Sequence, residues 1–142
     1  YFLGQSVATI KLDRLMNQKL DAAIESVKLY CDGVNNSDAE LISQSMHFPH
    51  YRIQIDGSVL VWNTETEYLT SFNERTSEAG WAYSTVDSIK GEVIGDYKCH
   101  ITARFSRYRK DASLIAEVAA LYVVIYKDDR WGMNAGSVLT PA

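Results

Sequence analysis

The last third of the chain constrains its fold more than any other part. Residues 97–108, 114–126 and 131–138 each predict a strand rich in β-branched and aromatic residues, and Asp128-Asp129 predicts a tight turn between the last two. Consecutive strands of this length pair antiparallel, and their twist bends the sheet. The sequence therefore predicts a long, curved antiparallel sheet that can wrap around a cavity.

The N-terminal part of the chain predicts one helix. Apolar residues recur mostly at three- and four-residue steps up to Cys31, so we expect a helix that Asp13 caps and Gly33 ends. Residues 1–15 are interpreted as a tag-derived or an extended native segment. The single domain is therefore assigned to residues 16–142.

Two capping-box patterns predict further helices. Ser37–Glu40 and Thr64–Glu67 each place a hydroxyl three residues before a Glu, which satisfies open backbone donors at a helix start. Strands over 50–55 and 58–62, joined by the hairpin turn Asp56-Gly57, lie between them. A long strand over 81–93 follows the third helix. Helices packed on one face of such a sheet make an α+β fold.

Composition excludes several classes of function. The net charge of −4 over 142 residues argues against a nucleic-acid binder, which needs a basic face. No apolar run approaches the ~20 residues that span a membrane. Cys31 and Cys99 lack metal-ligand spacing, so we expect reduced, buried thiols in a cytoplasmic protein; a Cys31–Cys99 disulfide is the alternative. No metal or cofactor is expected.

Three stretches carry a resemblance to a known family. They are His47-Phe-Pro-His-Tyr-Arg-Ile53, the strand from His100 to Tyr108, and Tyr122-Val-Val-Ile-Tyr-Lys-Asp-Asp-Arg-Trp-Gly132. With the order of elements, they resemble the nuclear transport factor 2-like superfamily, and within it SnoaL-like domains of unassigned function. The resemblance implies a cone-shaped α+β fold, a homodimer and a small apolar ligand in the cone.

The same resemblance implies candidate catalytic residues. Tyr30 is the match for the helix-one tyrosine with which ketosteroid isomerase stabilises an oxyanion. The isomerase base has no equivalent here, since Asp56 lies in a turn. His50 or Asp87 would then transfer the proton, and Glu117 is a further mid-strand carboxylate. Large or polarisable residues are assigned to the lining of the cavity, with plain core packing as the alternative for all but Cys99: Trp62, Tyr83, Cys99, Trp131 and Met133.

The alternation in residues 97–108 separates two faces. Cys99 and every second residue to Phe105 form an apolar face, which should look into the cone. His100 and Arg104 lie on the polar face, and we expect them at a dimer interface rather than in catalysis.

Two functions follow. The first is binding of a small apolar molecule in the cone, with cofactor-independent isomerisation, dehydration or hydrolysis as the chemistry if the protein is an enzyme. The alternative is a non-catalytic dimeric interaction domain that uses the outer sheet face.

Overall fold

The computed structural model of the protein describes residues 6–140. In chain order its elements are helices α1 (Val7–Asn36) and α2 (Ala39–Ser45), strands β1 (Met46–Ile53) and β2 (Val59–Trp62), helix α3 (Glu65–Ser77), and strands β3 (Trp81–Gly95), β4 (Lys98–Arg109), β5 (Leu114–Lys127) and β6 (Arg130–Val138). The predicted order of elements and the α+β class are confirmed. No helix in this part of the chain is long and apolar enough to cross a membrane.

Helix α1 is longer than predicted at both ends. It starts at Val7, where Ser6 accepts a hydrogen bond from the Thr9 backbone, and Asp13 lies inside it. Gly33 does not end the helix: it is buried, and a Cβ there would lie 2.7 Å from a side-chain carbon of Ile42. The glycine therefore lets α2 pack closely on α1. Residues 7–15 belong to α1, and residues 1–5 lie outside the described residues.

The start of α2 and the start of β1 also differ from the prediction. Asp38, not Ser37, caps α2 by accepting hydrogen bonds from the backbone of Glu40 and Leu41. Ser37 instead adopts the left-handed conformation that ends α1. Strand β1 begins before Pro49, and its pairing with β6 shifts register between Met46 and Tyr51. A proline lacks a backbone donor, so it interrupts the ladder without ending the strand.

The six strands form one sheet in the order β2-β1-β6-β5-β4-β3. All neighbours are antiparallel except β1 and β6, which are parallel. This parallel pair inserts the first strand beside the last one, and the sequence prediction of a purely antiparallel sheet missed it. Its pairings Arg52–Gly136 and, across β6 to β5, Gly136–Tyr122 form one row of three neighbouring residues.

The predicted division of β4 into two faces is confirmed. Cys99, Ile101, Ala103 and Phe105 are buried in the main hydrophobic core, whereas His100 is half-buried and Arg104 is exposed. Residues of α1 and α3 complete this core. The helices thus cover the inner face of the sheet, and the cavity described below lies on that same face.

Candidate ligand-binding site

A cavity of about 580 Å³ lies between the helices and the inner face of the sheet. Its walls come from α1, α3 and every strand except β2. Glu78 and Ala79 at one end are exposed, whereas Tyr30 and Tyr122 at the other are buried, so the cavity opens beyond the end of α3 and closes in the core. This volume is in the range of sites that hold small organic ligands.

Arg52 is the buried cation of the cavity wall. Only 6% of the residue is exposed, because it points inward from β1. Gly136 makes room for it: a Cβ on that glycine would lie 2.7 Å from Arg52 Nε and 3.1 Å from the Tyr122 ring. Gly136 therefore permits the close approach of the Arg52 side chain.

His50 holds the Arg52 guanidinium from behind. His50 Nδ1 lies 3.0 Å from the Met133 carbonyl oxygen, which can only accept, so Nδ1 carries the proton and donates. Nε2 then accepts from Arg52 Nη2 at 3.1 Å. Burial and the Arg52 charge lower the pKa of His50 to about 3, which keeps the ring neutral and in this tautomer.

Aromatic rings surround the Arg52 guanidinium. Its central carbon lies 5.6, 5.8 and 5.3 Å from the ring centres of Trp62, Tyr68 and Tyr122. Each face of an aromatic ring attracts a cation, and the attraction grows where water is excluded. These rings stabilise the buried charge in part, but they supply no counter-charge.

Two further arginines line the cavity close to Phe72. The guanidinium carbons of Arg75 and Arg107 lie 5.8 and 5.7 Å from the centre of this ring. Arg75 also lies 5.3 Å from the Trp62 ring centre and 6.0 Å from that of Tyr68, rings that it shares with Arg52. The three cations thus follow one continuous aromatic cluster.

Tyr30 and Tyr68 share a short hydrogen bond in the buried wall. Burial raises the pKa of Tyr30 well above its ordinary value. Burial also raises the pKa of Tyr68, but the charges of Arg52 and Arg75 lower it by more, so its net shift is downward. Either of the two hydroxyls can donate in this pair. Tyr30 lines the cavity, whereas Tyr68 lies outside its wall.

The other titratable groups in the deep wall stay protonated. Burial raises the pKa of the Cys31 thiol to about 11 and raises that of the Tyr122 phenol. Cys31 and Cys99 are both free and buried, so the expected reduced thiols are present and the alternative disulfide is not formed. Glu78 is the acidic residue of the wall, and it is exposed at the mouth. No cluster of three or more metal-binding side chains occurs within residues 6–140.

The structure separates the three predicted catalytic residues. Tyr30 lines the cavity. His50 lies behind Arg52, and it reaches the cavity only through that side chain. Asp87 is exposed on the outer face of the sheet, where it accepts hydrogen bonds from Thr85 and Ser106. Glu117 is likewise exposed on β5.

The five residues expected to line a pocket lie outside the wall of this cavity. Cys99 and Met133 are buried in the core, and Trp62 is buried beside His50. Tyr83 stacks on Tyr108, with ring centres 5.1 Å apart, and Trp131 packs near Tyr126. Aromatic or polarisable character alone therefore did not separate cavity lining from core.

Arg52 and Arg107 were missed, although the sequence contains a signal for each. His50, Arg52 and Gln54 alternate with Tyr51 and Ile53, so β1 carries a polar face whose direction the sequence leaves open. On β4, Arg107 continues the inward phase of Phe105, but the cluster of basic residues at the strand end suggested a solvated position.

The chain matches the family described as NTF2-like protein (DUF6841) over residues 26–139. The chain belongs to this family. The resemblance to the nuclear transport factor 2-like superfamily is thereby confirmed. No curated protein matches this NTF2-like protein.

Solved structures share the fold of this NTF2-like protein at low sequence identity. An NTF-2 like protein of unknown function from Shewanella oneidensis is 16% identical, with a TM-score of 0.59 over 83% of this chain and 96% of its own. An NTF2-like protein from Cytophaga hutchinsonii is 17% identical, with a TM-score of 0.63 over 85% and 97%. A provisionally assigned ketosteroid isomerase from Shewanella frigidimarina is 16% identical, with a TM-score of 0.61 over 83% and 94%. At these identities the similarity establishes the fold alone.

Proposed function

We propose that this NTF2-like protein binds a small, partly apolar organic molecule in its cavity. One observation carries the proposal: side chains leave about 580 Å³ open between the helices and the sheet. Apolar residues of β4 and β5, including Phe105, Val118 and Ala120, form much of the wall, and Tyr30 lies at its closed end. An apolar wall with a few fixed polar groups is typical of a ligand site.

The protonation states favour binding over proton-transfer catalysis. A general base must hold a lone pair near neutral pH within reach of the substrate. The deep wall offers phenols and a thiol that burial keeps protonated, and arginines that stay charged. The resemblance to an isomerase is therefore best used for the shape of the site and for the donor role of Tyr30, rather than for a reaction.

A pair of tryptophan variants tests the proposal. Ala116 lines the cavity, whereas the neighbouring Glu117 is exposed on the opposite face of β5. We expect some members of a panel of phenylalkyl alcohols, amides and carboxylates to raise the melting temperature of the native protein by mass action. Ala116→Trp should abolish this shift and Glu117→Trp should preserve it. Equal shifts in both variants would place binding elsewhere.

A second function is favoured by an exposed apolar patch on the outer sheet face. Tyr51 and Ile53 of β1 pair with Val61 and Val59 of β2, and all four are 42–54% exposed. Large apolar patches on a protein surface mark interaction sites. We propose a homodimer that buries this patch, with His100 and Arg104 farther along the same face.

Solution mass tests the dimer. Val61→Lys should convert a dimer to a monomer in analytical ultracentrifugation, because it places a charge in the apolar contact. Asn73→Lys, an exposed change on α3, should leave the mass unchanged. A native protein that sediments as a monomer at 100 µM would reject the dimer without affecting the cavity proposal.

A further inference from the structure

The charge of the cavity opposes the charge of the chain. The whole chain carries a net −4, yet the cavity wall contains three arginines, Arg52, Arg75 and Arg107, and one acidic residue, Glu78. None of the three arginines forms a salt bridge within residues 6–140, where the ion pair is Lys19–Asp96. The cavity is therefore a positively charged site on an acidic protein.

Arg52 carries the strongest part of this charge imbalance. Its side chain is held in the wall at 6% exposure, and its Nε is a buried donor that finds no hydrogen-bond partner among residues 6–140. The hydrogen bond that it does make goes to the neutral ring of His50. Burying a cation without a counter-ion is costly, and an unpaired buried donor adds to that cost. Residues 6–140 supply the space and the support for this cation, but no carboxylate in ion-pair contact with it.

The positions of Arg52 and Arg107 allow them to act on one ligand group. Arg52 lies 5.3 Å from the ring centre of Tyr122. Arg107 lines the same cavity, with its guanidinium carbon 5.7 Å from the centre of the Phe72 ring, so one ligand that fills the cavity can reach both cations. Tyr30, whose ring centre is 6.1 Å from that of Tyr122, lines the same cavity.

We propose that the ligand of this cavity is an organic carboxylate, whose charged group Arg52 and Arg107 bind and whose apolar body contacts Phe105, Val118 and Ala120. A carboxylate matches the planar fork of a guanidinium and accepts two parallel hydrogen bonds from it. Arg75 at the exposed rim adds positive potential that attracts the anion. The inference rests on the proposed binding function and specifies its ligand class.

Matched acids and amides test this ligand class. The probes are 3-phenylpropionate and 5-phenylvalerate, each compared with its own primary amide, which has the same body and no charge. Dissociation constants are measured by isothermal titration calorimetry at pH 7 with the native protein. We expect at least one acid to bind ten-fold or more tightly than its amide, and its affinity to fall as NaCl is raised.

Arginine variants assign the preference to the cavity. Arg52→Gln and Arg107→Gln should each reduce the acid-to-amide ratio below three-fold. Lys90→Gln removes an exposed positive charge on β3, outside the cavity wall, and should keep the native ratio. Circular dichroism confirms folding; if Arg52→Gln does not fold, the Arg107→Gln arm decides.

Three outcomes overturn the inference. Equal affinity for acid and amide in the native protein would reject the carboxylate while keeping the cavity as a binding site. A ratio unchanged by Arg107→Gln would place anion recognition elsewhere. Failure of all four probes to bind at 5 mM, together with failure of the broader panel on the native protein, would reject the binding function itself.

Discussion

Strands β1 and β4 face the same interior with opposite polarity. From Cys99 to Phe105 on β4 the inward residues are apolar, as at Ile101 and Phe105, and the outward ones are polar. On β1 the inward residues are His50 and Arg52, whereas Tyr51 and Ile53 face outward. Alternation thus reports that a strand has two faces, but the apolar face is not always the inner one. Where the polar residues face inward, as on β1, the chain loses the stabilisation that buried apolar side chains would give. Such a strand marks a candidate ligand-binding site.

The largest effect is expected from placing an arginine on the inner face of β4. Ile101 is fully buried, so Ile101→Arg should lower the free energy of unfolding by at least about 4 kcal/mol, because no partner is prepared for the charge. Thr102→Arg, one residue along on the outer face, should change it by less than about 0.5 kcal/mol. Urea denaturation measures both. Comparable losses in the two variants would show that burial does not distinguish the faces of β4.

Acidic pH should lower the stability of the fold through His50 on the inner face of β1. The pKa of His50 is lowered to about 3 in the folded protein, below the ~6.5 of an unfolded histidine. The unfolded chain therefore binds more protons between these values, and stability present above pH 6.5 is lost as pH falls toward 3. From pH 7 to pH 5 we expect a loss of roughly 2 kcal/mol from this residue.

Two histidine variants isolate that loss. Urea titrations at pH 7 and pH 5 should show a smaller decrease in His50→Gln than in the native protein. His100→Asn, on the half-buried outer face of β4, should keep the native decrease. If His50→Gln loses as much stability between pH 7 and pH 5 as the native protein does, another group dominates the response to acid.

Crowding Arg52 should have an intermediate effect. Gly136→Ala places a carbon 2.7 Å from Arg52 Nε, so we expect a loss of about 1–2 kcal/mol. Gly95→Ala, where nothing lies within 4 Å of the new carbon, should be nearly neutral. Combined with Arg52→Ala, the Gly136→Ala loss should shrink by about 1 kcal/mol in a double-mutant cycle. If the losses of the two single variants simply add in the double variant, the contact between position 136 and Arg52 is contradicted.

The smallest effect on stability should come from removing the buried charge itself. Arg52→Met loses the hydrogen bond to His50 but also the cost of burying a cation, so we expect a change within about 1 kcal/mol by urea denaturation. Carboxylate binding should be lost in the same variant. A loss of more than about 3 kcal/mol in the free energy of unfolding would assign Arg52 a structural role. The inward residues of β1 would then stabilise the fold as those of β4 do.

The sequence was sufficient for the fold because local patterns and packing agree over most of the chain. The face pattern of Cys99 to Phe105, the Thr64 cap of α3 and the order of elements all matched the structure. The predicted boundary at Gly33 failed because the glycine serves the contact with Ile42 rather than a helix end. The role of Gly33 is determined by tertiary packing, and a single sequence does not show which residues will pack against each other.

The site was less predictable because its residues come from different strands. Tyr30 could be anticipated from a family resemblance. Arg52 could not, since its inward direction depends on the parallel pairing of β1 with β6, which no local pattern encodes. A basic residue on a strand normally faces solvent. The open cavity is likewise a property of the assembled walls.

The parallel pair of β1 and β6 also has a kinetic consequence. It joins the first strand to the last, so the row Arg52–Gly136–Tyr122 closes only after nearly the whole chain has been made. Contacts between distant segments raise the contact order and slow folding. A partly folded chain without β6 has no lateral support for Arg52 and no complete cavity. A ligand can therefore act only on the finished fold, and it would slow unfolding without accelerating the earlier steps of folding.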